Sequence, residues 1–328
     1  MSLSSHLRSA RLSRTRLATA LSAACLLALP GLAAAEASAD ASTKDLDTVV
    51  VTASGNQQWI KDAPASISVI SREDIARQPV HDLATLLSRV PGVTGGLSAV
   101  GEQSKIKLRG MPSNYTLVLV DGKRMGSSAS TNYRPDLGRQ DLNWISPDQI
   151  ERIEVVRGPM SSLYGSDAMG GVINIITRRI GDEWNGSATH SYTRPGDGKR
   201  GDTQQIGATF SGPLGERFGL RIGANSMRRD SDQSNGGVYG NAYAGEKDRN
   251  VDALLQWKLS DAQELSLEAG HGVQQAFIDA SLEKQDEGAW GASELKRSSL
   301  ALNHDGKWSF GNSKISAYWT EYLSLIHI

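Results

Sequence analysis

From residue 181 onward the sequence alternates. Val251, Ala253, Leu255, Trp257 and Leu259 interleave with Asp252, Leu254, Gln256, Lys258 and Ser260. Leu265, Leu267 and Ala269 do the same with Glu264, Ser266 and Glu268, and Ile315, Ala317 and Trp319 with Lys314, Ser316 and Tyr318. A period of two places the two sets on opposite faces of a pleated strand. Polar stretches rich in Gly, Asn and Asp, at 230–237 and 240–250, separate the runs. Such segments fit the wall of a transmembrane β-barrel, with lipid on one side and water on the other. They fit a soluble β-sandwich equally well, because it alternates too. Period alone does not choose.

Composition removes other classes. Beyond the N-terminus no apolar run reaches the length a membrane-crossing helix needs. A net charge of -1 leaves no basic excess for nucleic acid. One Cys in 328 residues excludes a disulfide scaffold and a Cys-based zinc cluster.

The N-terminus reads as an export signal spanning 1–35. Arg8, Arg11, Arg14 and Arg16 form a basic region without an acid, followed by the apolar stretch Leu17 to Leu29. Pro30-Gly31 breaks that stretch, and Ala33-Ala34-Ala35 offers small residues for cleavage after Ala35. Cys25 lies inside the apolar stretch and does not fit a lipoprotein site. Cleavage takes four arginines, no acid and the one Cys, so the mature chain carries a more negative charge and no thiol. The protein is expected to be exported.

Residues 36–58 form an arm, small and polar to residue 45 and expected to be flexible. Within it Asp47-Thr48-Val49-Val50-Val51-Thr52-Ala53-Ser54 is a β-prone island. It reads either as a first strand of the domain or as an extended segment that adds to a partner's sheet edge.

Residues 59–180 read as a compact α+β domain. Ser66 to Ile70 alternates as a strand, and Ser71 with Glu73-Asp74 opens a short helix. A second helix, Leu83 to Val90, stops at Pro91-Gly92. Strands are expected at Ile106 to Arg109, at Tyr115 to Val120 before the hairpin signal Asp121-Gly122, and at Val172 to Thr177, while Ile150 to Arg157 is expected to start in a helix turn and run into a strand.

Three stretches together resemble the TonB-dependent outer-membrane receptors. Asp47 to Ser54 looks like the TonB box. Ile106 to Met111 with Tyr115 to Gly122, and Ile150 to Pro159 with Leu163-Tyr164-Gly165 and Gly170 to Thr177, are similar to the plug motifs. The wording from Pro159 to Met169 is most similar to the catecholate siderophore and colicin I receptor branch. The resemblance covers 46–180 closely and 181–328 by pattern. It implies an α+β plug domain followed by the first strands of a large antiparallel transmembrane β-barrel, 22-stranded in the family and incomplete here. At about 20 residues per strand and connection, 181–328 supplies roughly seven strands. The chain is therefore expected to be an N-terminal fragment.

The resemblance also assigns roles. Asp47, Thr48, Val49, Val50, Val51 and Thr52 would bind TonB of the TonB–ExbB–ExbD complex, which energises import across the outer membrane. Arg109 and Arg157 would lock the plug to barrel carboxylates beyond Ile328. Plug loops 94–105 and 123–139 would face outside, with Lys105, Arg124, Tyr133, Arg134 and Arg139 as ligand contacts. Those cationic and aromatic side chains suit a ferric siderophore of the catecholate type, which is anionic and aromatic. Iron would travel as cargo, with no resident cofactor or metal, and colicins or phage could exploit the receptor. Cobalamin, haem or another siderophore are alternative cargoes, and a soluble periplasmic binding module is the reading from another class. No G-x-S-x-G, H-E-x-x-H or P-loop supports catalysis. Asp230, Asp232 and Ser234 fail as a calcium loop, since Asn235 stands where its Gly is required.

Overall fold

A computed structural model of the chain describes residues 49–50, 58–63, 65–77, 83–95, 106–125, 141–196, 201–231, 245–277 and 292–327. The expected signal peptide lies outside the described residues. So do Asp47, Thr48, Val51 and Thr52 of the Val island, and Lys105, Tyr133, Arg134 and Arg139 of the plug loops.

Strands β1 (Val49–Val50) and β2 (Gln58–Trp59) pair antiparallel as a sheet of their own, with Val49 opposite Trp59. The plug sheet holds β3 (Ser66–Ser71), β6 (Thr116–Val120), β7 (Lys123–Arg124), β8 (Ile150–Arg157) and β9 (Gly171–Thr177). Its order is β3-β8-β9-β6-β7, and β6 and β9 run parallel. A small antiparallel pair, β4 (Val93–Thr94) and β5 (Lys107–Leu108), lies apart from it.

Local chemistry sets the boundaries. Ser71 caps the helix Arg72–Ala76: its hydroxyl accepts from the Asp74 N–H at 3.2 Å, and the Asp74 carboxylate accepts from the Ser71 N–H at 3.2 Å. Two orphan donors of the first turn are thereby satisfied. Helix Leu83–Leu87 is shorter than its apolar pattern, because the chain turns over Ser88 to Gly92 before β4. The β6–β7 turn places both Asp121 (φ 50) and Gly122 (φ 81) in the left-handed region, as a two-residue hairpin demands. Asp121 gains more than a turn, since its carboxylate accepts from the N–H and the hydroxyl of Thr177, each at 2.8 Å.

The plug core covers both faces of this sheet. On one side the two helices bring Ile75, Leu83 and Leu87 against Ile153, Val155, Ile173 and Ile175. On the other, Met160 and Ala168 pack on Leu117, Leu119, Val156 and Val172. That double coverage is why burial runs unbroken along Ile153 to Val156 of β8 and Gly171 to Ile175 of β9 instead of alternating.

Residues 185–327 form a seven-stranded antiparallel meander in chain order. The strands are β10 (Asn185–Thr193), β11 (Thr203–Pro213), β12 (Phe218–Arg229), β13 (Gly245–Ser260), β14 (Gln263–Phe277), β15 (Ala292–Trp308) and β16 (Gly311–His327). Its burial is inverted relative to a water-soluble sheet. Gln205, Thr209, Arg221, Asn225, Asp248 and Asn303 are buried, while Ile206, Phe210, Ile222, Leu255, Leu300 and Trp319 stand exposed. A soluble sandwich buries its apolar face, so the choice left open by period falls to the barrel wall. No helix among the described residues is long and apolar enough to cross a membrane.

The wall is polarised end to end. Turns at 214–217, 261–262 and 309–310 close one end, whereas the connections 230–244 and 278–291 leave the other. Short turns mark the periplasmic side of such barrels and long connections the extracellular side. At the short-turn end aromatic rings stack: Trp184 on Phe210 at 4.8 Å, Phe218 on Trp257 at 5.6 Å, and Trp308 on Phe310 at 6.1 Å. Amphipathic rings belong at the level of the lipid headgroups.

Candidate functional site

The plug meets the wall chiefly through the segment 141–149. Two short 3-10 turns, Asp141–Trp144 and Pro147–Gln149, hold it in an irregular path just before β8. One run of side chains thereby reaches all seven strands. The Thr189 hydroxyl of β10 donates to Asp148 Oδ1 at 2.6 Å, and Gln149 Nε2 donates to Asp252 Oδ1 of β13 at 2.6 Å. The Trp144 ring sits 6.3 Å from that of Tyr322 on β16, and Arg297 of β15 lies over it at 5.9 Å.

Glycines make this approach possible. A methyl at Gly207 of β11 would meet Asp148 Oδ2 at 2.5 Å, and at Gly272 of β14 it would meet the Trp144 ring at 2.9 Å. At Gly223 of β12 it would overlap the Gln149 amide. All three glycines face inward, between buried polar neighbours such as Gln205, Thr209 and Asn225. Glycine within a strand marks a close approach of another chain segment. Here it is the seat for the plug.

A second set of bonds ties the β6–β7 hairpin and the end of β9 to the wall. Lys123 Nζ lies 2.5 Å from Glu268 Oε1, with only 11% and 26% of the two side chains exposed. Asn303 Nδ2 donates to the same oxygen at 2.8 Å and to Ser266 Oγ at 3.2 Å. Arg221, buried in β12, donates to Thr177 Oγ1 at 3.1 Å and also to the Arg178 carbonyl. The Lys123 and Glu268 charges are tolerated there because they are paired and further hydrogen-bonded, whereas Arg221 is held by neutral oxygens and its Nε is buried without an acceptor.

The residues singled out by sequence fall into separate groups. Arg109 and Arg157 come together, their stems flanking Gly92: a methyl there would lie 3.7 Å from Arg157 Cδ and 3.9 Å from Arg109 Cγ. Arg109 itself adopts φ 52, and Gly110 after it φ 73. Arg157 donates to the Pro91 carbonyl and to Ser68 Oγ, each at 2.9 Å, and its Nε is buried without an acceptor. Among the described residues neither arginine forms an ion pair with a carboxylate. Arg124 lies on an exposed edge, 2.7 Å from Asp167 Oδ2, and also donates to the Tyr164 carbonyl. Burial, aided by the negative charge of Glu154, pushes the Tyr164 phenol above its usual range. Val49 and Val50 form β1 against β2. Among the described residues no cluster of His, Cys, Asp and Glu could hold a metal.

Sequence reasoning missed the segment 141–149, and it placed Lys123 at the start of an outward-facing loop, 123–139, rather than against the wall. The usable signal was present in the strand runs, where Gly207, Gly223 and Gly272 interrupt otherwise larger inward side chains.

Known proteins resemble this chain in sequence and fold. A family model described as the TonB-dependent Receptor Plug Domain matches residues 59–172. The chain is 40% identical over 280 residues to the iron-regulated outer membrane virulence protein of Vibrio cholerae, covering 84% of this chain and 42% of that protein. It is 36% identical over 289 residues to the ferric enterobactin receptor PirA of Pseudomonas aeruginosa, covering 80% and 39%. A crystal structure of a mutant ferric enterobactin receptor from Pseudomonas aeruginosa, in complex with enterobactin, superposes with a TM-score of 0.69 at 30% identity. That match covers 79% of this chain and 41% of that one. The chain thus spans less than half the length of these relatives. With the plug segment 141–149 seated on inward glycines of an apolar-faced wall, and with these likenesses in both sequence and structure, the chain belongs to the TonB-dependent receptors of the outer membrane.

Proposed function

We propose that the receptor carrying this chain imports ferric siderophores, and specifically Fe(III)–catecholates, with energy delivered by TonB. The observation that carries this reading is the 36% identity to a ferric enterobactin receptor over 80% of the chain, plug included. Lys105, Arg124, Tyr133, Arg134 and Arg139 are the proposed ligand contacts, where guanidinium and ring faces suit an anionic aromatic complex. Asp47 to Thr52 is the proposed TonB-binding strand, added to the partner by main-chain hydrogen bonds. Arg109 and Arg157 are proposed to hold barrel carboxylates, and the unpartnered Nε of Arg157 leaves a donor for that purpose.

Ligand binding would bias the plug between two states and so change how available the 47–52 strand is. Uptake of radio-iron from a ferric catecholate, in a strain lacking siderophore uptake, tests the proposal with and without TonB. TonB-dependent accumulation is expected. No accumulation with the receptor present in the outer membrane overturns the cargo, and uptake of cobalamin or haem instead would name its replacement.

A further inference from the structure

The turn 214–217 brings charge and aromatic surface together at the short-turn end of the wall. The Leu214 N–H donates to the Phe218 carbonyl at 2.7 Å, and the Lys258 N–H to the Arg217 carbonyl at 2.8 Å. Gly215, at φ 91, supplies the left-handed residue that so tight a reversal needs. Glu216 and Arg217 are thereby fixed immediately before Phe218, whose ring stacks on that of Trp257 at 5.6 Å. Both aromatic residues are 41% exposed. Further up, the same outward face is leucine: Leu220 lies opposite Leu255, and Leu265 and Leu267 lie opposite Trp257 and Leu255. Residues directly opposite in an antiparallel pair share a face, so rings and leucines form one continuous strip.

Two charges of opposite sign stand beside that strip without partners. Glu216 and Arg217 are exposed, and the side chain of neither forms an ion pair or hydrogen bond among the described residues. The next cation, Lys258, is matched by Asp182 at 3.8 Å. The stacked pair Trp308–Phe310 at the same end of the wall differs, because Ser309 lies between the rings and that turn holds no acid.

We propose that Glu216, Arg217, Phe218 and Trp257 bind the zwitterionic headgroup of an aminophospholipid in the periplasmic leaflet. Its ammonium lies against the ring faces and the Glu216 carboxylate, where a cation is attracted by both. Its phosphate accepts from the Arg217 guanidinium, which offers matched pairs of donors. Its acyl chains cover Leu255 and Leu267. A phospholipid carrying only a phosphate leaves Glu216 facing a like charge, whereas the zwitterion answers both residues. A free zwitterion in water gains the charge contacts without the leucines. The site follows from the outer-membrane setting alone and stands whichever cargo the receptor carries.

The test is native mass spectrometry of the receptor carrying this chain, purified in detergent and titrated with phosphatidylethanolamine. Phosphatidylglycerol with the same acyl chains serves as the control. The expected result is selective retention of the aminophospholipid, weakened about tenfold or more in the variant E216Q/W257L. Trp257→Phe, which keeps an aromatic face, should retain it, and so should W308L/F310L. Heat-modifiable gel migration reports whether each variant folds, and E216Q alone replaces the double variant if that one does not. Equal retention of the two lipids by the native protein overturns the proposal, as does equal retention by E216Q/W257L and the native protein. An equal loss in W308L/F310L overturns it in favour of a general aromatic belt. Displacement by phosphoethanolamine at the lipid's own concentration overturns the lipid as the occupant.

Discussion

Gln149 Nε2 donates to Asp252 Oδ1 at 2.6 Å, joining the last turn before plug strand β8 to the middle of wall strand β13. Gly223 of the neighbouring strand clears the space through which the amide reaches. Under the proposed import, the plug must loosen its hold on the wall. Bonds of this kind set how much work that takes.

Gly223→Val should unseat this contact, since a side chain there occupies the position of the Gln149 amide. Overpacking of this type costs about 1–3 kcal/mol. The wall should still form and keep its heat-modifiable migration, while protease sensitivity within 141–149 rises. Unchanged protection would show that the glycine seat is dispensable.

Lys123 and Glu268 should be strongly coupled. Truncating either one leaves a mostly buried charge unpaired, at a cost of about 3–5 kcal/mol. Removing both should cost far less than the sum, which a double-mutant cycle with Lys123→Met and Glu268→Gln reads directly. Additive losses would place the pair in effective contact with water.

Trp144→Ala should loosen the plug without opening the wall. The indole is nearly fully buried between Gly272, Arg297 and Tyr322. Its loss is expected to cost about 3–5 kcal/mol, by transfer energy plus the cavity left behind. Thermal unfolding followed by near-ultraviolet circular dichroism should show the plug transition falling while the barrel transition holds.

Alkaline pH should weaken the plug through Tyr164. Burial raises its folded pKa above the unfolded value, so the neutral phenol is the form the fold prefers. The resulting stability is fully present below the unfolded pKa of about 10 and is lost as pH rises through the folded value. Tyr164→Phe should flatten that alkaline decline. An unchanged profile would assign the decline to other groups.

Much of the architecture was legible in single residues. Ser71 with Asp74 announced a capped helix, Asp121-Gly122 a hairpin, and the alternation around Leu255 and Leu267 a two-faced sheet. Each of those signals is local, complete within a few residues. Period could not say which face looks toward water, because that depends on solvent rather than on sequence order. Burial of Gln205 and Asn225 opposite exposed Ile206 and Ile222 answers it. The role of 141–149 was hidden for a different reason. Its partners lie on strands from β10 to β16, and no periodicity encodes a contact between an irregular turn and a distant glycine. Asp121 shows the same limit within a correct reading, since its bonds to Thr177 come from the far end of the domain.

The two halves of the chain face opposite kinetic problems. Each wall strand pairs with its immediate successor, so the meander can zip up hairpin by hairpin with little loop entropy lost per step. The plug sheet cannot: β3 must wait for β8, and β6 must find β9 in parallel after a long excursion. High contact order makes that half the slower folder, even though it leaves the export machinery first. A wall already lined with open glycine seats would then act as the mould that selects the plug's final register.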